Sequence, residues 1–286
     1  MSGKVCLVTG ATSGIGRVTA RELAQMGATV VAVGRNPQKG AETVAEIKRR
    51  TASDKVEFMQ ADLSSQASIR DLARTFTDTY AQLHVLVNNA GGVFSKRETT
   101  VDGLEMTFAL DHLAYFLLTA LLLPVLERSA PARIINVSSA AQGTGKINFD
   151  DLQGAKRYRG WRAYSQAKLA NVLFTYELAR RLQGTGVTAN CLHPGFVATG
   201  FAQNNRGALQ ALVKAGQIFA ISPEKGAETS VFLATSPLVE NVSGKYFANK
   251  KEGKSAKQSY DEAVSRRLWD VSAQLTGTTE QRATSS

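Results

Sequence analysis

Short apolar runs and longer amphipathic runs alternate along most of the chain. The apolar runs are four to six residues long, are rich in Val, Ile and Leu, and end in glycine, asparagine, serine or aspartate. Runs of this length that stop at turn-forming residues are typical of buried β-strands, and the spacing between them is typical of helices. The pattern predicts strands at residues 5–9, 29–33, 56–60, 85–88, 134–138, 187–192 and 245–248.

Strands that alternate with helices predict a parallel sheet, because parallel neighbours need a long crossover connection. We therefore predict an α/β fold with a single doubly wound parallel sheet of Rossmann type, flanked by helices. No repeat or linker interrupts the 286 residues. Residues 1–275 are predicted to form one domain, and residues 276–286 a disordered tail.

The chain is basic, since 34 Lys and Arg stand against 24 Asp and Glu, a net charge of +10. A basic surplus is one signature of nucleic-acid binding. Here the cationic residues are scattered, apart from residues 48–50 and 245–257, and we expect no regular interleaving of aromatic residues that would form a stacking platform for bases. The composition therefore predicts solvated surfaces and no nucleic-acid partner.

The apolar content is spread over short runs. None of them reaches the ~18 residues of a membrane span, and the first strand begins by about residue 4. We expect no signal sequence, no membrane anchor and a cytoplasmic location. Cys6 and Cys191 lie within apolar runs and are expected to be buried reduced thiols.

Three glycines follow the first predicted strand and precede a helical run: Gly10, Gly14 and Gly16. Glycine allows the backbone to approach a pyrophosphate, and a helix N-terminus offers free N–H groups and a positive dipole. The spacing differs from the commoner G-x-G-x-x-G, and an ordinary turn is the alternative. The order of strand, glycines and helix predicts a dinucleotide site.

The end of the second predicted strand carries Arg35, nineteen residues beyond Gly16. A protein that binds NAD(H) places an acidic residue there, against the ribose 2′-hydroxyl. A guanidinium would instead meet a 2′-phosphate with charge-assisted hydrogen bonds. The sequence predicts NADP(H) as the preferred cofactor and NAD(H) as the alternative, unless Arg35 is only a solvated loop residue.

Tyr164 and Lys168 lie four residues apart in a helical run, which places phenol and ammonium on one face. A nearby positive charge favours the phenolate, so Lys168 is expected to lower the pKa of Tyr164 towards the range useful for acid–base catalysis. The same spacing occurs by chance in many helices. The pair becomes informative together with the other polar residues of the chain. Polar clusters end several of the predicted strands, and ligands bind at the strand ends of such sheets.

Residues 196–222 form an apolar segment interrupted by glycines, which we interpret as a cover over a substrate pocket. The segment 143–162 adds Phe149, Tyr158 and Trp161. These residues favour a small hydrophobic aldehyde, ketone or alcohol as substrate, with core packing as the competing explanation. No metal site is predicted, because the spacings of the three histidines match no ligand motif: His84, His112 and His193.

Four motifs stand in a recognisable order: Thr9-Gly10-x3-Gly14-Ile15-Gly16, Asn88-Asn89-Ala90-Gly91, a serine before Tyr164-x3-Lys168, and Pro194-Gly195. In this order the chain resembles the short-chain dehydrogenase/reductases over almost its whole length. Through residues 168–175, 182–187 and 266–272 it is similar to their retinol-dehydrogenase-like branch. The resemblance implies an alcohol dehydrogenase or carbonyl reductase, with retinal-like substrates among the candidates.

The resemblance also implies a role for each matching residue. Ser139 would hydrogen-bond the substrate oxygen, Tyr164 would exchange a proton with it, and Lys168 would hold the nicotinamide ribose. Ser138 and Asn88 would be structural. Cofactor contacts are implied along the chain, for pyrophosphate and adenosine ribose (Gly10, Ser13, Gly14, Ile15, Gly16), adenine (Asp62, Leu63), the adjoining ribose (Asn89, Ala90, Gly91) and nicotinamide (Pro194, Gly195, Val197, Thr199).

The chain departs from this family at Asp111, where an asparagine usually takes part in a proton relay. We expect its carboxylate to be a supporting group, because the helix backbone also holds the relay water; ionic coupling to Lys168 is the alternative. Family members often pair through the helix that carries Tyr164, which implies a homodimer.

Two other functions remain open on this sequence. One is reduction of an activated carbon–carbon double bond with the same cofactor residues. The other is a dinucleotide sensor without catalysis, which the presence of Ser139, Tyr164 and Lys168 disfavours.

Overall fold

A single eight-stranded sheet forms the centre of the computed structural model, which describes residues 1–195 and 221–278. Its order is β3-β2-β1-β4-β5-β6-β7-β8, and every pair is parallel except β7 with β8. The strands are β1 (Val5–Thr9), β2 (Thr29–Gly34), β3 (Val56–Gln60), β4 (Val85–Asn88), β5 (Ala132–Val137), β6 (Val187–His193), β7 (Tyr246–Ala248) and β8 (Lys251–Glu252). The predicted doubly wound α/β fold is confirmed.

Helices connect the strands and cover both faces of the sheet. They are α1 (Gly14–Gln25), α2 (Pro37–Thr51), α3 (Gln66–Thr79), α4 (Met106–Phe108), α5 (Ala114–Arg128), α6 (Gly160–Arg181), α7 (Pro223–Thr235) and α8 (Glu262–Thr276). A π-helical turn, Ala109–Leu113, joins α4 to α5. The last helix includes Thr276, the first residue of the predicted tail, while residues 279–286 lie outside the described part.

All seven predicted strands are present, with shifts at their ends. β5 ends at Val137, so that Ser138 and Ser139 belong to the connection that follows it. The antiparallel β8 was not predicted. Asn249 and Lys250 both have positive φ, 50° and 62°, and form the two-residue turn of a hairpin. A strand of two residues leaves no periodic signal in the sequence.

The central strands β1, β2, β4 and β5 are buried on both faces, as their continuous apolar runs require. Alternate residues enter two separate cores. Leu7 and Val31 pack beneath α3, α5 and α6, whereas Val8 and Val30 pack beneath α1 and α2. Cys6 and Cys191 are buried free thiols, as predicted.

The helical run Met106–Arg128 is long and apolar enough to cross a membrane by length and composition. In the fold, 72% of its most apolar window is buried inside the protein, which is the placement of a core helix. Asp111 and His112 interrupt this segment, so the sequence shows no continuous apolar run of ~18 residues there.

Helix α6 is the surface on which a homodimer was predicted. Every residue of the segment 164–178 is buried within one chain, beneath α8 and the π-helical turn among others. A homodimer that pairs through this helix would therefore use its residues outside this segment. The homodimer stays a prediction, which light scattering coupled to size-exclusion chromatography tests directly.

The strand order reverses between β1 and β4, which lie side by side although they are not consecutive. At such a point the connections leave the sheet towards opposite faces and open a crevice at the carboxyl ends of the strands. Gly10 and Asn89 are the residues that follow these two strands. The topology therefore brings together the first two motifs of the sequence.

Candidate active site

The three glycines after β1 form a closely packed turn. Gly10 and Gly14 have positive φ, 64° and 51°, which favours glycine. A β-carbon on Gly10 would lie 2.9 Å from Cα of Ala90, and one on Gly16 would collide with the carbonyl oxygen of Gly10. Helix α1 begins at Gly14 with no acidic residue in its first turn, so its free N–H groups suit an anion.

Ser13 and Ile15 complete this turn. Ser13 is the N-cap of α1 and is exposed, and its side chain makes no capping hydrogen bond. Its hydroxyl is therefore available to a ligand. The turn has the open backbone and the free N–H groups that the pyrophosphate of a dinucleotide needs, and the cofactor contacts of these residues stay a prediction.

The loop after β4 is tied to the end of β1. The Thr9 hydroxyl accepts hydrogen bonds from the N–H groups of Asn89 (2.8 Å) and Ala90 (3.1 Å), and the Asn89 side chain donates to the Thr9 carbonyl at 2.8 Å. Thr9 was missed as a site residue, although it is the first residue of the glycine motif. Its role is to fix the position of the loop that leads to Gly91.

Asn88 braces the sheet, as predicted. Its amide nitrogen donates to the hydroxyl of Thr119 at 3.0 Å and to the side-chain oxygen of Asn136 at 2.9 Å. The side chain is fully buried, so Asn88 holds β4, β5 and α5 together and leaves the cofactor contacts to its neighbours.

Asp62 and Leu63, predicted at the adenine, follow β3. One Asp62 carboxylate oxygen accepts from the N–H of Ser64 at 3.0 Å and from its hydroxyl at 2.7 Å, which closes a tight turn. Leu63 is 6% exposed and belongs to the core. Any adenine contact of Leu63 would therefore be made by its main chain.

Arg35 lies exposed at the end of β2, beside β3. Its carbonyl oxygen accepts a hydrogen bond from the Gln60 side chain at 3.3 Å. Within the described ranges, no carboxylate pairs with the Arg35 guanidinium. The cation is thus free to bind a phosphate at the edge of the crevice.

Ser139, Tyr164 and Lys168 converge where β5 ends against α6. The Ser139 hydroxyl lies close enough to that of Tyr164 to lower the pKa of the phenol, and Lys168 Nζ lies 5.6 Å from the centre of the Tyr164 ring. The Ser139 oxygen accepts from the N–H of Ala141 at 3.2 Å, which directs its own O–H away from the backbone. Ser138 donates to the Lys168 carbonyl at 2.8 Å, the structural role expected of it.

The pKa of Tyr164 is raised, opposite to the predicted direction. Burial raises it most, the negative charge of Asp111 raises it further, and the hydrogen bond from Ser139 lowers it. The Asp111 carboxylate lies 3.3 Å from Lys168 Nζ, so its negative charge offsets the effect expected of the ammonium. Neither the burial of Tyr164 nor the carboxylate of Asp111 is apparent from the residues around Tyr164 and Lys168 in the sequence.

The Asp111 carboxylate lies directly against Lys168, with Oδ2 at 3.3 Å from Nζ. The side chains are 0% and 3% exposed, respectively. Oδ1 accepts from the N–H of Gly92 at 2.7 Å, while Oδ2 lacks a well-aligned donor among the described residues, so its contact with Lys168 is mainly electrostatic. Burial raises the pKa of Asp111 to about 6, against the lowering effects of Lys168 and Gly92.

We therefore favour ionic coupling over the supporting role expected for Asp111. Asp111→Asn is expected to lower the pKa of Tyr164, because the carboxylate raises it. Alcohol oxidation, which needs the phenolate, should then set in at lower pH, with a gain of about threefold at pH 7, which corresponds to ~0.7 kcal/mol in the barrier. The inflection near pH 6 that we expect Asp111 to cause in the wild-type pH profile should be absent from the profile of Asp111→Asn.

The measurement is the pH profile of kcat/KM for both proteins, with Asp71→Asn, an exposed aspartate of α3, as the control. Superimposable profiles for wild type and Asp111→Asn would return Asp111 to a supporting role.

A buried network missed at the sequence level holds the π-helical turn. The Asn171 amide donates to the Asp111 carbonyl at 2.8 Å, and its oxygen lies 3.2 Å from Nδ1 of His112. Nε2 of His112 is 2.9 Å from the Ser272 hydroxyl, and burial lowers the pKa of His112 to about 4. The network orients Asp111 towards Lys168, and π-turns are frequent at functional sites.

The connection after β6 approaches the same place. Gly195 has φ 96°, and a β-carbon on it would lie 2.5 Å from Cδ1 of Ile221. Nδ1 of His193 accepts from the N–H groups of Ala140 and Gly195, both at 3.2 Å. Val197, Thr199 and nearly all of the predicted cover lie outside the described residues.

The three aromatic residues of segment 143–162 have different surroundings. The Tyr158 hydroxyl donates to the Phe94 carbonyl at 3.0 Å and contacts Glu105 at 3.1 Å, and Phe149 packs under the Arg267 guanidinium at 4.1 Å. These two follow the packing alternative. Trp161 is 55% exposed, with its ring centre 5.8 Å from that of Tyr164, and it is the one left free to contact a substrate.

Comparisons with known proteins agree with this geometry. The sequence model of the family described as short chain dehydrogenase matches residues 4–210. Retinol dehydrogenase 12 of Mus musculus is 45% identical over 275 residues, which cover 96% of this chain and 87% of that protein. Retinol dehydrogenase 11 of Homo sapiens is 43% identical over 277 residues, with 97% and 87% covered.

Solved structures of similar proteins share the fold. An uncharacterized protein from Mycobacterium Paratuberculosis has a TM-score of 0.78 at 34% identity, covering 96% of this chain and 94% of that one. The RhlG/NADP active-site complex of Pseudomonas aeruginosa has a TM-score of 0.69 at 30% identity, covering 86% and 94%. The chain belongs to the short-chain dehydrogenase/reductase family, in its retinol-dehydrogenase-like branch, and is a nicotinamide-dinucleotide-dependent oxidoreductase.

Proposed function

We propose that this enzyme interconverts a hydrophobic aldehyde or ketone and the corresponding alcohol, with NADP(H) as the preferred cofactor. The observation that carries the proposal is the convergence of Ser139, Tyr164 and Lys168 at the end of β5, with Lys168 Nζ 5.6 Å from the centre of the Tyr164 ring. Two hydroxyls that face one another are suited to bind a single substrate oxygen between them.

The bound cofactor supplies or accepts the hydride. Tyr164 gives its proton to the substrate oxygen during reduction and takes it back during oxidation. Ser139, whose oxygen is oriented by the Ala141 N–H, donates to the same oxygen as negative charge develops on it. Lys168 lies 5.6 Å from the Tyr164 ring and 3.2 Å from the position that a β-carbon on Gly91 would occupy. It is therefore placed to hold ribose hydroxyls next to the loop after β4.

The substrate class is inferred from Trp161. An exposed indole beside the proton donor offers an apolar wall to the part of the substrate that extends from the carbonyl. Relatives named retinol dehydrogenase support a hydrophobic substrate. Retinal-like aldehydes are accordingly the first candidates to test, and short polar aldehydes are expected to react poorly.

The experiment is turnover of an α,β-unsaturated aldehyde such as cinnamaldehyde with NADPH, followed by product identification. The proposal predicts the allylic alcohol. Formation of the saturated aldehyde would favour the alternative of double-bond reduction. Cofactor binding without turnover of any aldehyde, ketone or alcohol in a panel would favour a sensor, which the family assignment disfavours.

The NADP(H) preference is tested at Arg35. A charge-assisted hydrogen bond is worth ~1.5–3 kcal/mol, so Arg35→Ala should weaken NADP⁺ binding by about 10- to 100-fold. NAD⁺ has no 2′-phosphate, and its Kd should change less than about twofold. Arg49→Ala, at the exposed end of α2, serves as the control for a general loss of positive charge. Equal losses for both cofactors would contradict the assignment of Arg35.

The cytoplasmic location and the homodimer stay predictions. The buried placement of the run Met106–Arg128 accounts for its apolar composition without a membrane. Fractionation of cells that express the chain tests the location.

A further inference from the structure

His193 takes no part in the proposed proton transfer or in the predicted cofactor contacts. It nevertheless lies between the loop of Ser139 and the Pro194–Gly195 loop. It is the last residue of β6, next to β5, whose end leads to Ser139. The ladder between these strands closes with the N–H of Ser138, which donates to the Leu192 carbonyl at 2.7 Å. Beyond this bond the segments that follow β5 and β6 separate, and backbone pairing no longer fixes the distance between them.

The His193 imidazole connects the two segments at that point. Nδ1 accepts from the N–H of Ala140, the residue after Ser139, and from the N–H of Gly195, both at 3.2 Å. An imidazole nitrogen has one lone pair, and sharing it between two donors agrees with distances at the long end for such bonds. Burial lowers the pKa of His193 and so favours the neutral imidazole, and the two N–H donors select the tautomer in which Nδ1 is the acceptor.

We propose that His193 is a positioning residue whose Nδ1 joins the loop of Ser139 to the Pro194–Gly195 loop. The inference rests on the proposed function, in which Ser139 binds the substrate oxygen and the Pro194–Gly195 loop lies at the nicotinamide. Through this one atom the two loops keep a fixed separation. The distance between the substrate oxygen, held at Ser139, and the nicotinamide, held at the Pro194–Gly195 loop, is thereby fixed as well. Displacement of a reacting group by ~1 Å can cost about 10²-fold in rate.

The acceptor can be removed or moved. His193→Leu removes it and keeps an apolar side chain of similar bulk. His193→Asn places an amide oxygen close to the position of Nδ1, whereas His193→Gln places the same group about one bond further out, near the position of Nε2. We expect kcat to fall about 10- to 100-fold in His193→Leu and His193→Gln, and to stay within about threefold of wild type in His193→Asn. A purely structural role would not separate Asn from Gln.

Amide hydrogen exchange, measured by NMR without substrate, tests the contact independently of activity. The N–H groups of Ala140 and Gly195 should exchange about tenfold faster in His193→Leu and at wild-type rates in His193→Asn. The Ser138 N–H, held by the β5–β6 ladder, is the internal control.

Unchanged exchange at Ala140 and Gly195 in His193→Leu would overturn the proposal, as would equal kcat values for Asn and Gln. If His193→Leu fails to fold, the comparison of Asn with Gln still decides. Wild-type protein that reduces no carbonyl compound would refute the proposed function, and the exchange experiment would still report whether His193 joins the loops.

Discussion

Replacing Tyr164 by phenylalanine should lower kcat by about 10²- to 10⁴-fold, the usual size of general acid–base catalysis. The substitution removes the transferable proton and one hydrogen bond with Ser139, and it leaves the ring in place. The Kd of NADPH should change little, because the glycine cradle and Lys168 are untouched. The measurement is steady-state aldehyde reduction together with cofactor titration.

Tyr176→Phe is the matched control, since Tyr176 lies on the same helix with its hydroxyl 2.8 Å from the Ser255 hydroxyl. It should lose about 1 kcal/mol of stability at most and keep kcat within about twofold. Tyr164→Phe retaining more than about a tenth of the wild-type kcat, a much smaller loss than the ~10²-fold minimum typical of acid–base catalysis, would mean that another group transfers the proton.

Replacing Lys168 by methionine should impair turnover, cofactor binding and stability together. The side chain is 3% exposed and pairs with a fully buried carboxylate, and methionine keeps much of its volume. Removal of one partner from a buried ion pair costs about 3–5 kcal/mol, because the other charge is left without compensation. We expect a loss of about 3 kcal/mol in the free energy of unfolding, a kcat at least ~10²-fold lower, and a weaker Kd for NADPH.

The double variant Lys168→Met/Asp111→Asn separates these effects. It removes both charges, so the free energy of unfolding should return to within about 1 kcal/mol of wild type, while kcat stays low. Equal stability of the single and double variants would show that Asp111 and Lys168 are not coupled.

The sequence predicted the strands and the motif residues well, because both depend on local patterns. The first strand, Val5–Thr9, and the glycines that follow it can be recognised from about a dozen consecutive residues. The positions of strand ends in a parallel sheet then bring Gly10 and Asn89 together without further information.

The remaining features depend on contacts between distant segments. The pKa of Tyr164 was predicted in the wrong direction because burial raises it most, and because the carboxylate of Asp111, 57 residues before Lys168 in the sequence, raises it further. Phe149 and Tyr158 fitted a substrate pocket equally well until their contacts with Arg267 and Glu105 were known. A residue type indicates what a side chain is able to do, while its partner decides what it does.

The central claim is that Tyr164 and Ser139 serve hydride transfer to a carbonyl carbon. Its most direct test is reduction of an α,β-unsaturated aldehyde with NADPH that carries deuterium at the transferable position of the nicotinamide, with NMR of the product. The account predicts deuterium on the carbinol carbon of an allylic alcohol, at a rate that falls at least about 10²-fold in Tyr164→Phe. Deuterium on the β-carbon of a saturated aldehyde, or an undiminished rate in Tyr164→Phe, would contradict it.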